Sequence, residues 1–319
     1  MATLRGGIDL GGTKIQTAII DTNGKVRGES RCPTPTSGGP QDVADAMAGA
    51  LREAAAEAKV EPSALQGVGV GSPGEVDEKT GVVSGARNLP DWEGSFALAK
   101  ALKKALGTEI RVGNDVQVAT EAEFHLGAGR EFSSLIGVFW GTGVGGGLIL
   151  DGKPWLGRGA AGEIGHTVVK RGGAKCPCGR KGCLEAYAGR AAMEAEARRL
   201  HEEGHKTDLF KLMRKHDRDR LTSGIWERAI DHGDRLAEKL IDRAVEMLGT
   251  GIASAVNLLD PEAVVIGGGL GVRFGDRYMD ALTKEMDKHL FVDKRPPAVR
   301  VVSLGDLGGA IGASLLFAR

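Results

Sequence analysis

One pattern occurs twice in this chain, and it constrains the fold more than any other feature. An apolar strand runs into a glycine turn, a second strand follows, and a tight polar turn closes the unit. The first copy, Ile8–Val26, contains Asp9-Leu-Gly-Gly-Thr-Lys14 and the turn Asp21-Thr-Asn-Gly24. The second, Val138–Trp155, contains Gly141-Thr-Gly-Val-Gly-Gly-Gly147 and the turn Asp151-Gly152. Two widely spaced copies predict two related lobes rather than a solenoid of stacked short units. A length of 319 residues agrees, because domains run to roughly 100–200 residues each.

Periodicity fills in the lobes. Residues 5–10, Lys14–Asp21 and Lys25–Arg31 read as strands, and 40–59 as an alanine-rich helix. Gln66–Ser72 and Glu109–Val112 read as strands, Ser95–Leu106 and Val116–Leu126 as helices. After the restart at Ser134, Leu135–Trp140 and Gly147–Leu150 are strands, and 184–257 is mostly helical. A strand at Ala263–Ile266, a helix near 276–289, a strand at Val299–Leu304 and a helix at Leu307–Phe317 complete the chain. Strands alternating with helices in both halves make the class α/β.

Charge excludes one broad class of function. Lys+Arg and Asp+Glu are both 42, so the basic footprint of a nucleic-acid binder is missing. The run at 214–220 is mixed in sign and reads as a solvated face. No stretch reaches the ~18 apolar residues of a membrane span, and Met1–Gly7 has no signal-like apolar core, so a cytoplasmic enzyme is expected. Three of four cysteines fall at 176, 178 and 183, which suggests metal before disulfide in a reducing compartment. Cys32 stands alone and reads as structural or incidental.

The fifty glycines cluster in turns. Three such turns follow apolar strands: Gly11-Gly12-Thr13-Lys14 after Asp9, Gly141-Thr142-Gly143 with its glycine tail, and Gly267-Gly268-Gly269. Glycine lets backbone N–H groups approach an anion, and Thr hydroxyls and Lys14 add donors. Asp9 is placed where hydrated Mg²⁺ would sit beside phosphate. The second turn fits G-x-G-x-x-G, but a dinucleotide site needs those glycines to open a helix, and a strand is expected there. The other reading of each turn is a tight hairpin without a ligand.

His166 and Cys176-Pro-Cys178-Gly-Arg-Lys-Gly-Cys183 supply one imidazole and three thiols, the soft donors of a closed tetrahedral zinc site. Four protein ligands leave no place for substrate, so such a zinc would be structural. Asn114-Asp115 lies at a strand–helix junction, where Asp115 reads either as a helix cap or as a functional carboxylate. Glu163 in Gly162-Glu-Ile-Gly-His166 and Glu185, two residues after Cys183, would be drawn together by the zinc. They read either as a pair suited to vicinal sugar hydroxyls or as surface acids.

Taken together and in this order, these motifs resemble the ROK family of repressors, open reading frames and sugar kinases, over nearly the whole chain. The Glu-x-Gly-His and cysteine combination is the specific part. The phosphate turns alone would indicate only the wider actin-like ATPase and hexokinase superfamily. The resemblance implies two RNase H-like lobes, residues 1–114 plus 305–319 and residues 115–304, with nucleotide and sugar in the cleft between them. It implies Mg-ATP as donor, a hexose (most like glucose) as acceptor, a structural zinc and a homodimer using 184–257. Asp115 becomes the catalytic base. Asn88, Asn114, Glu163, His166 and Glu185 become sugar contacts, with Gly71 a backbone candidate. His166 would use one ring nitrogen for zinc and the other for a sugar hydroxyl.

The sequence departs from the family where Asn-Asp continues as Val116-Gln117 instead of Ala-Asn, and where Trp140 replaces the usual aliphatic; Trp140 reads as core. The family's repressors carry an N-terminal winged helix, whereas here the first strand begins almost at once. A sugar sensor without turnover, a polyphosphate-using kinase, and kinases for fructose, mannose or N-acetylhexosamines are the other readings.

Overall fold

The computed structural model describes residues 3–86, 89–292 and 294–318. The chain divides into two compact units. One comprises Met1–Glu131, Gly147–Ala161 and Ser303–Arg319, the other Phe132–Gly146 and Gly162–Val302.

The first unit opens with β1 (Leu4–Leu10), β2 (Lys14–Asp21) and β3 (Val26–Pro33), an antiparallel meander. Helix α1 (Pro40–Glu57) follows, with Pro40 at its first turn, where no N–H is needed. Strand β4 (Val68–Ser72) pairs parallel with β1. A three-stranded patch not legible in the sequence follows: β5 (Glu75–Asp77), β6 (Val82–Ser84) and β7 (Ser95–Phe96). Helix α2 (Leu98–Leu106) leads into β8 (Ile110–Asn114), parallel to β4, and α3 (Asp115–Leu126). The sheet order is β3-β2-β1-β4-β8. Alternation along β2 sorts its two faces: Ile15 and Ile19 join the core under α1, while Ala18 and Ile20 pack with Ala122 and Ala310 on the other side.

Next come β9 (Leu135–Trp140), β10 (Val144–Leu150) and β11 (Lys153–Pro154), then α4 (Glu185–Ala188), α5 (Arg190–Glu202), α6 (Leu209–Lys215), α7 (Ser223–Asp231) and the long α8 (Arg235–Leu259). Asp234 caps α8 by accepting from Leu236 N and Ala237 N. Leu240, Ala244, Leu248 and Ile252 form its buried stripe. Strand β12 (Ala263–Gly267) runs parallel to both β9 and β13 (Ala298–Val301), with α9 (Gly268–Asp287) between β12 and β13. This sheet has the order β11-β10-β9-β12-β13. Helix α10 (Gly308–Leu315) returns to the first unit.

Two expected boundaries shift. α9 starts at Gly268 rather than near 276, because Gly267–Gly269 open the helix instead of forming a free turn. β10 starts at Val144, so the second glycine turn shrinks from 141–147 to Gly141–Gly143. The strand there agrees with setting aside a dinucleotide site. Trp140 is buried, donates its indole N–H to the Ala188 carbonyl at 2.7 Å and packs by Phe274, as the core reading expects. The first unit reaches past residue 114, because α3 packs on α10.

Gly7 and Gly69 sit side by side in β1 and β4. A Cβ at Gly7 would overlap the Ala310 carbonyl, and one at Gly69 the Ala313 carbonyl. The pair forms a trough in which α10 lies directly on the sheet. No helix among the described residues is long and apolar enough to cross a membrane.

Candidate active site

In the first unit, parallel pairing places the carboxyl ends of β1, β4 and β8 next to one another. Asp9 pairs in register with Gly71, Gly71 with Gly113, and Ser72 with Asn114. Ligands of open α/β sheets bind outside such strand ends. The expected residues Asp9, Gly71, Asn114 and Asp115 therefore share one edge.

Asn114, not Asp115, is the N-cap of α3. Its Oδ1 accepts from Val116 N and Gln117 N, both at 3.1 Å. This corrects the cap reading of Asp115, which is the first residue inside the helix. Asn114 is extended and Asp115 helical, a backbone choice that the residue types alone did not decide. Asp115 is half-buried, and Gly71 makes room for it: a Cβ at 71 would stand 3.3 Å from the Asp115 Cα and 2.8 Å from Val118.

Asp9 is the electrostatic centre of this edge. Burial and then the Asp115 charge raise its pKa from 3.8 to about 7; Lys14 pulls it down, and Asp306 pushes it up. Lys14 lies 3.2 Å from Asp306. The hairpin Gly11-Gly12-Thr13 is pinned by Thr34, whose hydroxyl donates to the Gly11 carbonyl at 2.6 Å and whose N–H donates to the Thr13 carbonyl at 3.1 Å. Sequence reasoning missed Gly309 in the first turn of α10, where a Cβ would stand 2.6 Å from the Asp9 carboxylate. A carboxylate held this high beside a second one fits a divalent cation, which favours the ionised form of both.

In the second unit, parallel β9 and β12 end together, with Phe139 opposite Gly267. The second and third glycine turns therefore adjoin: a Cβ at Gly141 would lie 3.9 Å from Gly269 N. Gly268 has φ +79°, and a side chain there would strike the Trp140 backbone.

The cysteine segment folds back on itself through the bridges Val168↔Cys183 and Lys175↔Lys181. It gathers His166, Cys176, Cys178 and Cys183 with all four ligand atoms within 4.8 Å of one another. Cys178 Sγ lies 3.7 Å from Cys183 Sγ, and Cys176 Sγ 3.8 Å from His166 Nδ1. Thiolates at ~2.3 Å from a tetrahedral zinc stand about 3.8 Å apart, so the donor set fits that ion. Burial pushes the Cys176 thiol up to about 12, whereas the Arg180 backbone N–H holds Cys178 down at about 6. A coordinated cation deprotonates such thiols outright.

Glu163 and Glu185 border this cluster. Glu163 Oε2 is 3.9 Å from His166 Nε2, and Glu185 Oε1 is 3.9 Å from Cys176 Sγ. Glu185 has a partner that the sequence did not reveal: its Oε2 accepts from Val144 N at 3.0 Å, beside Gly143. It links the cysteine cluster to the second glycine turn. Asn88 lies outside the described residues.

Two α/β units carrying repeated strand–turn–strand cores, with acids and glycine turns at their strand ends, are the actin-like ATPase fold. The ROK family profile matches residues 5–319, and the chain belongs to the ROK family. It is 33% identical over 268 residues to a glucokinase of Thermotoga maritima, spanning 83% of this chain and 81% of the relative. It is equally 33% identical to an N-acetylgalactosamine kinase of Shewanella sp. strain ANA-3, over 97% and 95% of the two chains. Among solved structures, a ROK glucokinase from Streptomyces griseus in complex with glucose and AMPPNP superposes with a TM-score of 0.84 at 31% identity, covering 98% of each chain.

Proposed function

We propose that the chain transfers the γ-phosphoryl group of Mg-ATP to a hexose hydroxyl, glucose first, with Asp115 as the base. That it is an ATP-dependent sugar kinase follows from its family and its relatives. One observation carries the reading of the site: β1, β4 and β8 end at one edge, with Asp9 in register with Gly71 and Gly71 packed against Asp115. This supports reading Asp9 as the carboxylate toward the cation and Asp115 as the one toward the acceptor.

Phosphoryl transfer needs positioning and charge neutralisation more than covalent work. Mg-ATP supplies the phosphoryl group and the divalent charge. In this reading Asp115 orients the sugar hydroxyl and takes its proton as the oxygen–phosphorus bond forms and ADP leaves. Gly71 keeps Asp115 in place, and Asn114 holds the start of α3. The turns Gly11–Lys14, Gly141–Gly143 and Gly267–Gly269 bind phosphate through backbone N–H groups. Glu163, His166 and Glu185 accept or share hydrogen bonds with sugar hydroxyls. Zinc held by His166, Cys176, Cys178 and Cys183 would fix the segment bearing them and take no part in the chemistry.

The equal identity to an N-acetylgalactosamine kinase favours a second substrate class, N-acetylhexosamines. The test is Mg-ATP-dependent phosphorylation across glucose, mannose, fructose and the N-acetylhexosamines, with Asp115→Asn beside the wild type. Glucose turnover at least ~10³-fold lower in the variant, with sugar binding intact, supports both assignments. Turnover on an N-acetylhexosamine alone replaces glucose. Full activity in the variant removes Asp115 as base.

A further inference from the structure

We propose that Arg190 is a positioning residue for the phosphoryl donor, holding the Thr142 hydroxyl with its hydrogen turned outward to phosphate and backing the second glycine turn with fixed positive charge. The inference rests on reading Gly141–Gly143 as a phosphate turn.

Arg190 opens α5, and that helix start is tied to the turn through its backbone. Arg190 N donates to the Gly141 carbonyl at 3.1 Å and Ala191 N to the Thr142 carbonyl at 3.0 Å. The side chain doubles this connection. Nη2 donates to Thr142 Oγ1 and Nη1 to the Leu221 carbonyl, both at 2.9 Å. The residue is only 8% exposed, and both acceptors are neutral.

Two physical points turn this geometry into a role. A buried charge hydrogen-bonded to neutral oxygens is expensive unless an opposite charge joins it. Burial disfavours the charged form of Arg190 most and Arg220 adds to this, while Glu194 and Asp219 act favourably but do not offset it. Arginine does not lose its proton in proteins, so the positive charge stays behind the turn. Just past the turn, Glu185 accepts from Val144 N. The turn thus meets both a carboxylate and a guanidinium, and the guanidinium is the one that suits phosphate.

The second point is direction. A hydroxyl has one hydrogen to donate. Thr142 is exposed, and its oxygen already accepts from Arg190. Its hydrogen is therefore left for an acceptor outside the protein, and a phosphate oxygen can only accept. Arg190 sets the polarity of the one side-chain donor in this turn.

The test is calorimetric titration of the full chain with adenosine, ADP and ATP in Mg²⁺, which needs no turnover. Wild type, Arg190→Met, Arg190→Lys, Thr142→Val and the Met/Val double variant are compared, each checked by thermal unfolding. Arg190→Met should weaken ATP about 10- to 100-fold and leave adenosine within about twofold. Arg190→Lys should recover part of that loss. The double variant should bind ATP no more than about threefold worse than Arg190→Met, since both changes remove one arrangement. A tie between helix and turn with only a structural role would lower the unfolding temperature and weaken adenosine and ATP alike.

Unchanged ATP affinity in Arg190→Met, equal losses for adenosine and ATP, or a double variant equal to the product of the singles would overturn the proposal. If Arg190→Met does not fold, Thr142→Val decides by the same ladder: a loss confined to phosphate-bearing nucleotides supports the role, and no loss or an equal loss ends it. Wild type that binds ATP but phosphorylates no sugar refutes the kinase reading alone. Wild type that binds no nucleotide refutes both.

Discussion

Replacing Asp9 with asparagine should make the protein more stable at pH 8 while destroying its use of Mg-ATP. In the folded chain, burial and the Asp115 charge hold the Asp9 pKa at about 7 against 3.8. Between these values the unfolded chain has lost this proton and the folded chain still holds it, so stability falls as pH rises. The penalty is absent below about pH 4 and complete above about pH 7. At 1.36 kcal/mol per pKa unit, a shift of roughly three units amounts to at most about 4 kcal/mol. Asparagine is neutral throughout and nearly isosteric, so Asp9→Asn should escape the penalty. The assay is guanidinium denaturation of both proteins at pH 4.5 and pH 8, without Mg²⁺ or nucleotide. The variant should lead by about 2–4 kcal/mol at pH 8 and by little at pH 4.5. Comparing the two proteins at each pH cancels the titration of shared groups that do not interact with Asp9. Equal gaps at both pH values, or a variant less stable than wild type at pH 8, would refute the reasoning. The trade follows a familiar rule, in which a functional site holds a group that the fold alone would discard.

Wild type should carry zinc by elemental analysis, and Cys183→Ser, at a fully buried member of the His166 and cysteine cluster, should abolish it and lower stability by at least about 3 kcal/mol in thermal unfolding. Gly309→Ala should preserve the fold, because alanine favours a helix by about 1 kcal/mol, yet raise the KM for Mg-ATP about tenfold. The added Cβ would stand 2.6 Å from the Asp9 carboxylate and displace it. An unchanged KM would show that Asp9 has room to move.

Much of the site could be read along the chain because its parts are local. Asp9 and its glycines occupy one hairpin, and the three cysteines fall within eight residues, so spacing alone pointed to a candidate phosphate turn and to the cluster of His166 with the three thiols that the structure gathers. Other parts depend on geometry that sequence does not carry. Asn114 and Asp115 are both good cap residues, and only the backbone at 114 decides between them. The patch β5–β7 was missed because two- and three-residue strands are too short to show alternation. The start of α9 was missed because Gly267–Gly269 look like a loop until the helix that they cap is seen. Arg190 lies in an ordinary helical run, and its bond to Thr142 joins positions 48 residues apart. Gly309 meets Asp9 only because α10 lies in the trough formed by Gly7 and Gly69.

That trough also sets an order of assembly. Domains usually fold as they leave the ribosome, amino-terminal part first. Here the first strand waits for a helix encoded some 300 residues later (Gly7 against Ala310), and Phe132–Val302, which includes the whole second unit, is translated in the meantime. The unit that begins the chain is thus the one completed last. A nascent chain stopped before residue 308 would carry its cysteine clip and its second and third glycine turns, yet have no floor beneath Asp9. Activity would require α10 in place, because that helix carries Gly309 against the Asp9 carboxylate.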